Sequence, residues 1–353
     1  MTRPTSNPAA VAILTVLAVF TVPAVPAAQT VDPVSTGTTA EFRGLHVVTD
    51  SVIWASGRGG VVAHTVDAGK TWRVDTIAGG ETLFLVDIHA LDARTAWVVG
   101  TDFNGGLSRI YRTDDGGGSW TLQAAREGEG VFLDGMGFWD RQRGVAFGDP
   151  VGGHHMILRT TDGGSNWIDL PADHIPPALP GEAAFAASGT ALALLPGGRG
   201  WIATGGGARA RVFRTSDYGE HWTAADTPLP GGQTSGLFGL GFRDSSHGLA
   251  VGGDYARPTL DTENVVRTVD GGLTWTIAGR TVPPGVKYGV ALVPGTAAPV
   301  WIAPAPTGVG LSLDDGNTWT VLTTTGYNTA AAAGPAGIWL AGPEGRIARV
   351  VLQ

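Results

Sequence analysis

The sequence predicts an all-β protein in which one four-stranded unit is repeated around a ring. Three observations carry that expectation: glycine and tryptophan are abundant, one short aspartate motif recurs at near-constant spacing, and an apolar motif recurs between its copies. Glycine fills 55 of 353 positions, about twice the ordinary share, and 12 tryptophans accompany it. No stretch keeps the 3.6-residue apolar period of a surface helix, so short strands joined by tight turns are the reading. An apolar share of 43% with only 15% charged residues excludes a disordered chain. Glycine at every third position, the mark of collagen, is absent.

The aspartate motif, Ser/Thr-x-Asp-x-Gly-x-x-Trp, occurs six times, at Asp67, Asp115, Asp162, Asp217, Asp270 and Asp314. The steps between them are 48, 47, 55, 53 and 44 residues. In a hairpin turn the aspartate accepts backbone N–H bonds, the glycine supplies a positive φ, and the tryptophan wedges between sheets. Each box sits on its own unit, so the six carboxylates stand around a rim and are assigned to the scaffold.

The second motif is an apolar strand that usually closes on glycine, starting at Trp54, Trp97, Val145, Trp201, Leu249, Trp301 and Trp339. Seven anchors stand against six boxes, because a seventh box would begin near the final residue, Gln353. A spare strand, 31–35, precedes the first unit and is expected to complete the last. Seven units of this length make a seven-bladed β-propeller of four-stranded antiparallel blades, closed by the N-terminal strand so that no sheet edge is left open. In the first blade the strands are expected at 45–48, 52–56, 60–65 and 71–76.

Residues 1–28 read as a secretory signal: a basic start at Arg3, an apolar run from Ala9 to Val22, and small residues through Ala28. The propeller is therefore expected over 29–353, outside the cytoplasm and as a monomer. No later apolar run is long enough to span a membrane. Without cysteine there is no disulfide, thiolate metal site or cysteine nucleophile. A net charge of −8, with no basic run longer than Arg141-Gln142-Arg143, argues against nucleic acid as a partner.

Function is expected on the loops opposite the boxes. The box turn has a fixed length while the anchor-to-box distance varies, so the extra residues fall mainly in loops joining the second strand to the third, and the loops joining one blade to the next share their face. The candidates there for partner binding are Arg43, Arg58, Asp149, Glu182, Arg209, Arg211, Asp254, Tyr255 and Arg257. Arg43, Glu182 and Lys287 precede first strands, where they line the channel mouth or make surface ion pairs. Adjacent His154 and His155 point to opposite faces of an extended chain, so no metal is expected. Trp139, the one tryptophan outside both motifs, is read as packing. Nucleophile elbow, phosphate loop, zinc-binding helix and dinucleotide fingerprint are all missing, and no cofactor is expected.

The boxes resemble those of the BNR/Asp-box superfamily, which includes sialidases, xyloglucan hydrolases, sortilin-type receptors and photosystem II assembly-factor propellers. Across the chain the arrangement is most similar to the photosystem II stability/assembly-factor-like group of exported seven-bladed propellers. Segments such as Phe42-Arg43-Gly44-Leu45, Phe147-Gly148-Asp149-Pro150, the stretch from Pro180 to Gly189, and Gly252-Gly253-Asp254-Tyr255 resemble a secreted bacterial subgroup loosely labelled oxidoreductases. The resemblance implies a non-catalytic protein that docks a segment of an exported or membrane protein, with Arg58, Arg209, Arg211 and Arg257 as counterparts of an arginine patch. It leaves two alternatives. One is a glycoside hydrolase acting on a glycan through a carboxylate pair drawn from Asp149, Glu182 and Asp254; the other is the oxidoreductase label, for which the sequence holds no flavin or nicotinamide motif.

Overall fold

The computed structural model describes residues 29–104 and 106–352. The export segment expected at 1–28 lies outside them. Seven four-stranded antiparallel sheets make up the described chain, with one short 3₁₀ turn at Ala172–His174. Blade 1 holds strands Phe42–Val47, Ile53–Gly57, Val61–Thr65 and Arg73–Thr76, running from the central channel outward. The innermost strands of the next six blades are Phe84–Ala90, Leu133–Phe138, Leu192–Leu195, Ser235–Phe242, Ala291–Val293 and Thr329–Gly334. The all-β, seven-bladed reading of the sequence holds.

Closure is by the N-terminal strand, Thr30–Val34. It pairs antiparallel with Ile347–Val351, Thr30 opposite Val351 and Val34 opposite Ile347, as the outermost strand of blade 7. The last blade thus takes a strand from the chain's start, and the ring closes without a covalent bridge.

Each box turn is built alike. In blade 1 the Thr65 hydroxyl donates to Asp67 Oδ1 (2.8 Å) and accepts from Gly69 N (3.1 Å), while Asp67 accepts from Thr71 N (2.9 Å) and Thr71 Oγ1 (2.6 Å). Asp115, Asp162, Asp217, Asp270 and Asp314 repeat the pattern. The box glycines all have positive φ, from 75° at Gly316 to 85° at Gly164, and each rests on the neighbouring blade. Gly69 meets the ring of Trp339, Gly117 that of Trp54, Gly164 that of Trp97 and Gly272 that of Trp201. A Cβ on Gly69 would lie 2.6 Å from the Trp339 ring, which is why the position stays glycine. Blade 3 carries Val145 at its anchor, and there Trp139 takes over: its ring receives Gly219, and its Nε1 donates to Arg199 O (2.7 Å). The tryptophan outside the repeats is thus a displaced anchor.

Candidate functional site

Four innermost strands carry a β-bulge at the same point, next to their entry into the ring. The residues left over are Arg43, Val86, Asp134 and Phe238. A bulge turns a side chain out of the regular alternation. Arg43, Asp134 and Phe238 line one cavity of about 460 Å³ on the face opposite the boxes. The residues after three of these bulges are Gly44, Gly135 and Gly239; blade 2 has Asp87 in that place. Asp87 points into the channel, where Oδ1 accepts from Ile88 N (2.8 Å) and Oδ2 from Met136 N (3.0 Å). Burial raises its pKa to about 8.

The floor of the cavity is a strap from Ala183 to Gly189 that crosses the channel and reaches every blade. Ala183 exchanges both backbone bonds with Gly205 in blade 4 (2.9 Å each), and Ala184 N donates to Asp149 Oδ1 in blade 3 (2.9 Å). Phe185 stacks on Phe238 of blade 5 at 4.4 Å between ring centres. The Ala186 carbonyl accepts from Arg43 Nη1 of blade 1 (2.8 Å), and the Ser188 hydroxyl donates to Tyr288 O, just before blade 6 (2.6 Å). Thr329 Oγ1 of blade 7 donates to Ser188 O (2.8 Å), and Gly189 lies against the Asp87 carboxylate of blade 2, leaving no room for a Cβ. Its run of small residues is what lets the strap fit inside the ring. A second cavity, about 390 Å³, lies beneath it with His46, Asp87 and His89 in its lining. Burial lowers the His46 pKa to about 4 and that of His89 well below the usual value.

Above the strap the walls are aromatic. Phe103 packs edge-on to Phe132 (4.9 Å), and Tyr255 stands edge-on to Phe185 (6.1 Å) and Phe238 (6.3 Å). Phe103 and Tyr255 are 46% and 45% exposed, high for rings of their size, and they form the rim. Two carboxyls lie lower. Asp149 is partly buried, and burial raises its pKa. Asp134 is only 1% exposed; burial first, then repulsion from Asp149, pushes its pKa well up, and its Oδ2 has no hydrogen-bond partner.

Of the nine residues expected on this face, the structure brings Arg43, Asp149 and Tyr255 together in the bowl. Arg58, exposed, lies over Phe84 (4.4 Å) and shares Glu41 with Arg43, at 3.5 and 3.3 Å respectively. Glu182 and Arg211 turn away into a buried network. Glu182 Oε1 accepts from Arg211 Nε (2.9 Å) and Thr204 Oγ1 (2.7 Å), and Oε2 from Leu179 N (2.8 Å) and Arg211 Nη2. Burial alone would raise its pKa, but hydrogen bonds from Arg211, Leu179 and Thr204, with the His155 ring 3.8 Å away, outweigh it and hold the value at about 2. Asp254 holds a loop, accepting from Thr234 Oγ1 (2.7 Å), Ala256 N (2.9 Å) and Arg257 Nε (2.8 Å); the Thr234 bond leads in lowering its pKa. Arg209 stands apart, paired with Asp226 (2.6 Å). Lys287 is fully buried, its Nζ donating to Pro283 O (2.6 Å), and does not line the channel mouth.

Phe103, from a loop expected on this face, and Phe185 also line the bowl, as do Asp134, Phe132, Phe238 and Tyr288, which were not singled out from sequence. Aligning the innermost strands would have found two of them: Phe42-Arg43-Gly44, Leu133-Asp134-Gly135 and Leu237-Phe238-Gly239 share an apolar–x–Gly pattern, and x is the bulge.

No family model and no curated protein sequence matches the chain. Solved structures do. YCF48 bound to D1 peptide matches with a TM-score of 0.64 at 16% identity, over 92% of this chain and 96% of that one. The Niastella koreensis GH74 enzyme matches with a TM-score of 0.62 at 15% identity, over 90% of this chain, which spans 53% of that enzyme's length. The WD40 propeller domain of Doa1 matches with a TM-score of 0.61 at 10% identity, over 92% and 97%. At these identities the likeness is one of fold, and the fold fits the assembly-factor-like propellers that the sequence resembles.

Proposed function

We propose that this chain is an exported, non-catalytic binding protein that docks a segment of an exported or membrane protein partner on the face opposite its boxes. The observation that carries the reading is the bowl: strand ends and loops converge on one cavity with exposed aromatic rings at its rim and a fixed floor. Variable loops on a rigid ring are suited to recognition, and a bowl of this volume accepts a few side chains of an extended segment. YCF48, of like fold, is a protein seen with a peptide bound. Export rests on the sequence of residues 1–28.

The second reading is glycoside hydrolysis, favoured by the raised pKa of Asp149 and by the likeness to a GH74 enzyme. Such chemistry needs a general acid and a second carboxylate, both reaching the sugar. Of the three carboxylates considered, Glu182 and Asp254 are taken up by hydrogen bonds that lower their pKa values, and the acid beside Asp149, Asp134, is all but sealed from solvent. Docking therefore fits better. A photo-crosslinking residue in place of Tyr255, in cells of the native host, tests it against one in place of Leu273 on the box face. Docking predicts a discrete protein adduct from the Tyr255 position alone; adducts only from Leu273, or turnover of a glycan panel lost in Asp149→Asn, would reverse the ranking.

A further inference from the structure

The bowl's charges are unevenly spoken for. Its basic side chains are committed: Arg43 donates to the Ala186 carbonyl, pairs with Glu41 and lies over Phe84 (4.7 Å), while Arg58 shares that glutamate and that ring. The carboxyls are engaged by backbone alone, Asp149 Oδ1 accepting from Ala184 N (2.9 Å). Among the described residues neither Asp134 nor Asp149 has a basic side chain at ion-pair distance, and Asp134 Oδ2 is buried with no donor at all. A buried, unpartnered carboxyl oxygen is costly to keep and persists where something else is gained. Aromatic rings enclose these two groups on several sides, and their electron-rich faces attract cations.

We propose that the bowl recognises an organic cation, an alkylammonium or guanidinium, held among Phe103, Phe132, Phe185 and Tyr255 and drawn down toward Asp149, with Asp134 behind it. Within the docking reading, on which this inference rests, that cation is a lysine or arginine side chain of the partner's segment; a free amine would satisfy the same chemistry. An anion is disfavoured too, because Arg43 and Arg58 are already engaged by the Glu41 carboxylate, the Ala186 carbonyl and the Phe84 ring. The depth of the carboxyls below the rim asks for a charge on an apolar stem, which both side chains provide.

Titration calorimetry of the mature chain with butylammonium and butylguanidinium, against pentanol as a neutral alcohol of similar length, tests this without needing the partner. Heat with the cations and none with pentanol is expected. Asp149→Asn, isosteric and uncharged, should weaken cation binding at least about tenfold, and Tyr255→Ala, at an exposed position, several-fold. Thermal melting of each variant establishes that it is folded. Equal binding of pentanol, full affinity in a folded Asp149→Asn, or no binding by either cation overturns the proposal. An acetylated, amidated lysine peptide separates the sources: binding tenfold tighter than butylammonium marks a partner's side chain, and equal binding marks a free amine. If a partner crosslinked at Tyr255 is still captured when its lysines and arginines are replaced by glutamine, the docking reading stands and the cation inference falls.

Discussion

Glu182→Gln should cost this protein several kcal/mol at neutral pH and much less in acid. The side chain is enclosed, and its pKa falls from 4.5 to about 2 through the bonds made by Arg211, Leu179 and Thr204, with the His155 ring 3.8 Å away. At about 1.36 kcal/mol per unit the shift corresponds to about 3 kcal/mol, and solvent at the loop's edge trims this to about 2–3 kcal/mol. Removing the charge also strands Arg211, itself only 7% exposed, without a counter-ion, and breaking such a pair costs about 3–5 kcal/mol. We take about 3 kcal/mol. With an unfolding entropy of about 2.1 cal/mol/K per residue over roughly 320 ordered residues, that lowers the melting temperature by about 4–5 °C. Because the folded pKa lies below the unfolded one, the stabilisation is fully present above about pH 5 and drains away as pH falls toward 2. Melts of wild type and Glu182→Gln at pH 7 and pH 3 should therefore show a gap that narrows in acid. A paired substitution, Glu182→Leu with Arg211→Met, should recover most of the loss, since neither charge is then buried alone. A gap below about 1 °C at pH 7, or one unchanged at pH 3, would refute the network's role.

Two further outcomes follow from the scaffold. Gly69→Ala forces a Cβ against the Trp339 ring at a φ of 79°, and should destabilise by about 1–3 kcal/mol, whereas Gly334→Ala, with nothing within 4 Å of its Cβ, should be close to neutral in the same urea titration; equal effects would contradict the packing described. Removing residues 29–35 takes away the partner of Ile347–Val351 and leaves an open edge, so the shortened chain should elute from a sizing column as larger, concentration-dependent species than the full ring, and an unchanged profile would count against closure by that strand.

The architecture was legible because each blade repeats the same two packing devices, an anchor and a box, at nearly fixed spacing. Even the closing strand could be counted out, and it lies within one residue of the expected place, Thr30–Val34 against 31–35. Strand ends were less legible. The first strand of blade 1 begins at Phe42 rather than 45, because the bulge at Arg43 breaks the alternation that marks a strand, and the fourth begins at Arg73 because the box turn runs on through Trp72. Within the site, Arg43, Asp149 and Tyr255 could be picked out as charges and a ring outside the repeats. Asp134 and Phe238 escape a reading of the alternation, since a bulge sends inward a side chain whose position says otherwise, and emerge only when the innermost strands are aligned. Nor does an alanine-rich stretch announce that it will cross a channel. The pairing of Glu182 with Arg211, 29 residues away, is a tertiary event that no local pattern encodes.

The proposed docking puts the partner on the strap side of the ring. Amide hydrogen exchange, measured with and without the protein segment captured at Tyr255, addresses it most directly. Slower exchange is predicted at Ala184 and Ala187, in the floor, and in the loops bearing Phe103 and Tyr255, with the box turns at Asp67, Asp217 and Asp270 unchanged. Protection confined to the box turns, or absent from the strap while the segment is bound, would contradict it.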